Sequence, residues 1–185
     1  HGSNGKEAQS RYCAETMVCM TITSPASDAS HPYTTLTPDR VLDALASIGL
    51  YGDGRLMALN SYENRVYQIH LEEPHHDQRV VVAKFYRPER WSRAQILEEH
   101  ALSAELLAQD IPAVAPLVLN GATLHEAEGF AFSVSPWRGG RMPELDDFDV
   151  LESVGRFLAR IHHVGAARPF SSRPALDAHS FGTEP

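Results

Sequence analysis

The sequence predicts an α+β fold organised around an antiparallel sheet. Short β-branched or alternating runs come first as a group of three and later as a group of two, with a capped helical segment between the groups. Polar turns join the first three runs, which therefore read as antiparallel neighbours. At 185 residues, with 43% hydrophobic and 22% charged residues, the chain suits one compact domain, or one small lobe plus part of a second.

The elements follow in order. Thr37-Pro38-Asp39 is a helix start, with a hydroxyl cap, proline in the first turn and an acid near the dipole's positive end. Val41, Leu42, Leu45 and Ile48 then form one apolar face, and Gly49 is expected to stop the helix. Two strands are predicted at Arg55 to Leu59 and Arg65 to Leu71, joined by Asn60-Ser61-Tyr62-Glu63-Asn64. In the second, Tyr67, Ile69 and Leu71 alternate with Gln68 and His70. Residues 72–77 read as a polar turn before a third strand, Val80 to Tyr86. Ser92 and Gln95 form a capping box for a helix that reaches about Gln109. Strands near Pro116 to Leu119 and Phe130 to Ser135 follow, with Asn120-Gly121 and Gly129 as turn signals. Residues 136–140 are a connector. A last helix over Phe148 to Val164, ended by Gly165, places Leu151, Val154, Leu158 and Ile161 on one face.

Charge and composition exclude several functions. The net charge of −8 leaves no basic balance for a nucleic-acid partner. The longest apolar stretch, Ile111 to Leu119, has nine residues and two prolines, far from the roughly 20 that a membrane span needs. Cys13 and Cys19 fit no common zinc spacing, and a reduced, cytoplasmic setting is expected. Residues 1–32 read as a leader or tag.

Lys84 is the most informative residue. It is the one charge inside Val80 to Tyr86, and a desolvated ammonium calls for a carboxylate or an anionic ligand. The competing reading puts Lys84 on an edge strand, directed to solvent. Glu98 and Glu99, 14 and 15 residues further on, offer a partner from the next helix, and either one suits. The turn at Asn60 to Asn64 has no Gly-x-Gly-x-x-Gly. Ser61 there can still donate to a phosphate, and Asn60 and Asn64 can hold the turn. Plainer roles suit the remaining clusters. His75-His76 and His162-His163 are poorly spaced for chelating one ion. Arg87, Arg90 and Arg93 read as a solvated loop, and Asp146, Asp147 and Asp149 favour the dipole of the helix they precede.

Three segments carry a resemblance: Asn60 to Gln68, the Lys-Phe-Tyr-Arg-Pro-Glu-Arg-Trp run from Lys84 to Trp91, and Gln95 to His100. Together with Gly129-Phe130, Gly139-Gly140-Arg141 and Val154 to His162, they resemble the bacterial stress response kinase A family over about Tyr33 to Arg173. Those are cytoplasmic Ser/Thr protein kinases on the aminoglycoside phosphotransferase/choline kinase-like fold. The resemblance implies a kinase-like N-terminal lobe at 33–135 with a five-stranded antiparallel sheet and one main helix. A hinge and an incomplete helical C-terminal lobe would follow at 136–185. It implies ATP with Mg²⁺ as cofactors and a protein acceptor. Ser61 and Asn64 would lie at the phosphates, with Lys84 on the α- and β-phosphates. Glu99 would be the partner of Lys84, with Glu98 as the alternative, and Val134 and Ser135 would lie beside adenine. His162 matches a family histidine with a structural role at a helix end. The family's His-x-Asp-x-x-x-x-Asn motif and later metal-binding Asp do not occur among the 185 residues, so an inactive, C-terminally truncated kinase with no metal ligands of its own is expected. Self-association through an exposed lobe interface would follow from that. A small-molecule kinase of the aminoglycoside, choline or homoserine type is the alternative, and a non-catalytic nucleotide-binding or interaction module is the third reading.

Overall fold

The computed structural model describes residues 32–140, 142–144 and 146–178. The expected leader, apart from Pro32, and both cysteines lie outside these residues. Helix α1 (Pro38–Ala46) precedes strands β1 (Gly52–Leu59), β2 (Arg65–His75) and β3 (Gln78–Phe85). Helix α2 (Arg93–Ala108), strands β4 (His125–Ala127) and β5 (Phe130–Pro136), and helix α3 (Phe148–Ala167) complete the order. The five strands form one sheet, β1-β2-β3-β5-β4, with every neighbouring pair antiparallel.

Each helix begins where its sequence says it should. Thr37 Oγ1 accepts the Arg40 N–H, and the reciprocal capping box between Ser92 and Gln95 is formed. Asp147 caps α3 by accepting the Asp149 and Val150 N–H groups. One face of the sheet is apolar. Tyr67, Ile69, Leu71, Val81, Ala83, Phe85, Phe132 and Val134 point into a core that α1 closes with Val41, Ala44 and Leu45. Helix and sheet approach closely at Gly52, where a Cβ would meet Leu42 Cδ2 at 2.6 Å.

Four expectations change in the structure. Strand β2 runs on to His75, because residues 72–75 continue along the sheet and only His76-Asp77 turn, with His76 at φ 51°. No strand forms at Pro116 to Leu119. Pro116 has no N–H for a ladder, and the segment makes only a Leu117 N–H bond to the Val134 carbonyl and a Leu119–Ala122 bridge. The fourth strand is instead the three-residue β4, too short for alternation to reveal, which turns into β5 at Glu128-Gly129, both with positive φ. Helix α3 passes through Gly165 to Ala167, so His162 lies inside the helix and is exposed rather than ending it. On its expected apolar face only Ile161 joins a core cluster, with Val164, Leu106 and Ile111, whereas Leu151 and Leu158 are exposed.

Candidate anion-binding site on the polar face of the sheet

Strand alternation decides where Lys84 points. Val81, Ala83 and Phe85 are buried in the apolar core, so Val82 and Lys84 face the other way. Strand β3 is central, between β2 and β5, and Lys84 pairs in register with Val66 and Ser133. The edge-strand reading is thereby excluded. Lys84 Nζ lies 3.1 Å from Glu99 Oε1, with both side chains about one-third exposed, and 4.8 Å from the centre of the Tyr86 ring.

Of the two candidate glutamates, Glu99 takes the lysine. Glu98 serves another purpose, accepting the Ser171 hydroxyl at 2.7 Å and the backbone N–H groups of Ser171, Ser172 and Arg173 at 2.8–3.1 Å. The Ser171 hydroxyl bond is the main reason its carboxyl falls to about 2. Burial alone would raise the Glu99 carboxyl, but the charge and hydrogen bond of Lys84, with Arg173 behind them, pull it below the ordinary carboxylate range. Arg173 Nη2 binds Glu99 Oε2, so the carboxylate bridges two cations.

A buried polar network lies beside the pair. The Tyr86 hydroxyl meets His100 Nε2 at 2.8 Å and Ser133 Oγ at 3.1 Å, and His100 Nδ1 meets Thr123 Oγ1 at 2.9 Å. Burial raises the Tyr86 phenol to about 12 and lowers the His100 imidazole, which favours two neutral groups joined by hydrogen bonds.

The turn between β1 and β2 is tied to the segment after β3. Asn64 Oδ1 accepts the Arg87 N–H at 3.2 Å, and the Glu63 carboxylate accepts Arg90 Nε at 3.0 Å and Trp91 Nε1 at 2.6 Å. Ser61 is half-buried in this turn. Two of these exposed arginines have charge partners: Arg90 pairs with Glu63, and Arg93, the first residue of α2, pairs with Glu126 at 2.9 Å. Val134 and Ser135 lie near the end of β5, opposite Ala83 and Val82, just before the connector at Trp137. The Val134 side chain faces the apolar core, and its carbonyl accepts the Leu117 N–H at 2.7 Å.

The structure thus brings Lys84 and Glu99 into contact, sets Ser61 and Asn64 in one turn, and places Val134 and Ser135 one strand away. Sequence reading missed Arg173, Tyr86, His100 and Ser133. Tyr86 and His100 carried a signal, as polar groups flanking Lys84 and Glu99, but Arg173 carried none, because it meets Glu99 across 74 residues of chain. Among the described residues no group of three or more His, Cys, Asp or Glu is arranged to hold a metal ion. None of the described helices is long and apolar enough to cross a membrane.

Comparison with known proteins matches residues 56–180 to a phosphotransferase enzyme family. Serine/threonine protein kinase RdoA of Salmonella typhimurium is 45% identical over 159 residues, covering 86% of this chain and 47% of that protein. Stress response kinase A of Escherichia coli K12 is 44% identical with the same coverage, so the chain spans about half the length of these curated relatives. Among solved structures, amicoumacin kinase hAmiN in complex with AMP-PNP, Ca²⁺ and Ami superposes with a TM-score of 0.57 at 18% identity, over 74% of this chain and 42% of that one. That likeness establishes the fold: an antiparallel five-stranded sheet with three helices, of the kinase-like type.

Proposed function

This chain belongs to the phosphotransferase enzyme family, and from that premise we propose that it is the ATP-holding portion of a Ser/Thr protein kinase of the stress response type. The observation that carries the reading is the Lys84–Glu99 pair, made across the polar face of a central strand. An ammonium held there by a carboxylate is fixed in place with donors still directed at an incoming oxyanion. In this reading Lys84 binds the α- and β-phosphates. Ser61 donates to a phosphate from the β1–β2 turn, and Asn64 holds that turn through Oδ1 while its amide nitrogen remains a donor. Val134 and Ser135 lie beside adenine.

ATP bound with Mg²⁺ supplies the phosphoryl group, and the metal neutralises its oxygens. In the complete reaction a protein hydroxyl would give its proton to a base of the catalytic motif as its oxygen bonds the γ-phosphorus, the bond to the β–γ bridging oxygen would break, and ADP would leave. The residues present here bind and orient. The catalytic motif is not among these 185 residues, so by themselves they hold nucleotide without turning it over.

Titrating the ¹⁵N-labelled chain with Mg²⁺ and AMP-PNP tests this directly. Amide shifts should concentrate at Ser61, Asn64, Lys84, Val134 and Ser135. Shifts confined to other parts of the chain, or none at saturating nucleotide, would refute the assignment.

A further inference from the structure

We infer that Arg173, from the segment after α3, is a positioning residue for the phosphate-binding lysine. It holds the second oxygen of Glu99, so that the carboxylate is fixed toward Lys84 while the group as a whole keeps a positive charge. The phosphate part of this inference rests on the nucleotide reading above.

The geometry is specific. Glu99 presents Oε1 to Lys84 and Oε2 to Arg173. The guanidinium is itself fixed: Arg173 Nε donates to the Gln95 carbonyl at 3.0 Å, its backbone N–H donates to Glu98 Oε2 at 3.1 Å, and its head stacks 4.8 Å from the centre of the Trp91 ring. Gln95 Nε2 also donates to the Ser172 carbonyl, so the segment is tied to the first turns of α2 from both sides.

Charge counting gives this arrangement a purpose. Lys84 and Glu99 alone are a neutral pair, and the carboxylate would repel an incoming triphosphate nearly as strongly as the ammonium attracts it. With Arg173 the three groups carry one net positive charge. The other polar groups facing them are His100 from α2 and Tyr86 from the end of β3, both kept neutral by burial, and Glu98, whose charge is met by the Ser171 hydroxyl and three backbone N–H groups. A tail clamp alone would need only the Nε bond and the stacking; the Nη2 contact to Glu99 is the part that reaches the site.

The test compares the whole chain with Arg173→Leu and Arg173→Lys by calorimetric titration, using Mg²⁺-ATP as one probe and adenosine, which lacks phosphate, as the other. Arg173→Leu should weaken ATP about tenfold and Arg173→Lys by less than about threefold, with adenosine unchanged in both. A ¹³C carboxyl titration provides a readout that needs no nucleotide: the Glu99 midpoint should rise in Arg173→Leu and return toward the parent value in Arg173→Lys. Parent-like ATP affinity in Arg173→Leu, or equal losses for ATP and adenosine, would overturn the role while leaving the nucleotide reading intact. An unchanged Glu99 midpoint would overturn Arg173's hold on the carboxylate. A parent chain that binds no ATP would remove the nucleotide reading and, with it, the phosphate part of this one.

Discussion

On one face of the sheet Val41, Leu45, Phe85 and Phe132 are fully buried in one hydrophobic cluster, whereas on the other Lys84, Glu99, Arg173, Tyr86 and His100 meet through charges and hydrogen bonds. The first face is closed by α1, which adjoins β1 in sequence. The second is closed by α2 and by residues 171–173, which return from beyond α3. Folding free energy is concentrated on the apolar face, where burial is complete. Charges and hydrogen bonds are concentrated on the polar face, where the central ion pair keeps about one-third of its surface in water.

The widest contrast is expected from one substitution on each face. Phe85→Ala should lower unfolding free energy by about 3–5 kcal/mol, because it empties a site with no exposure. Lys84→Met should change it by no more than about 1 kcal/mol, since a partly exposed pair adds little net stability. Urea denaturation of both variants measures this, and comparable losses would break the division between the faces.

A smaller effect is expected inside the polar face. Tyr86→Phe removes the hydroxyl shared by His100 and Ser133, and should cost about 1–2 kcal/mol by leaving buried polar atoms without that partner. A neutral or stabilising result would show that the network is not held as described.

The mildest effect concerns pH. The folded Glu98 carboxyl, at about 2, lies below its ordinary value of 4.5, so the hold of residues 171–173 on α2 is complete above about pH 4.5 and is lost as pH falls toward 2. Amide exchange at Ser171, Ser172 and Arg173 should accelerate across that window. Loss of protection already at pH 6, or full protection at pH 2, would contradict the assignment.

Legibility in the sequence follows the same division. Helix starts depend on a few adjacent atoms, and Thr37 and Ser92 were readable as caps because each cap bonds within three residues. Core positions were readable in β2 because Tyr67, Ile69 and Leu71 repeat with the period of a strand. Lys84 stood out as a charge in an apolar run, but its alternatives closed only once β3 was seen between β2 and β5. The choice between Glu98 and Glu99 was not local at all: residues 171–173 settle it by occupying Glu98. The Pro116 segment failed for the converse reason, since its apolar residues suit a strand while proline denies it a ladder bond.

The most direct test of the central claim, that Lys84 on the polar face holds the phosphates of ATP, is the thermal unfolding of this chain and of Lys84→Ala, each with and without Mg²⁺-ATP. A nucleotide bound only by the native state raises the midpoint in proportion to its affinity. A rise of several degrees is expected in the parent and none in Lys84→Ala, with the two unfolding within about two degrees of each other when no nucleotide is present. An equal rise in both proteins would contradict it, because ATP would then be held without the lysine.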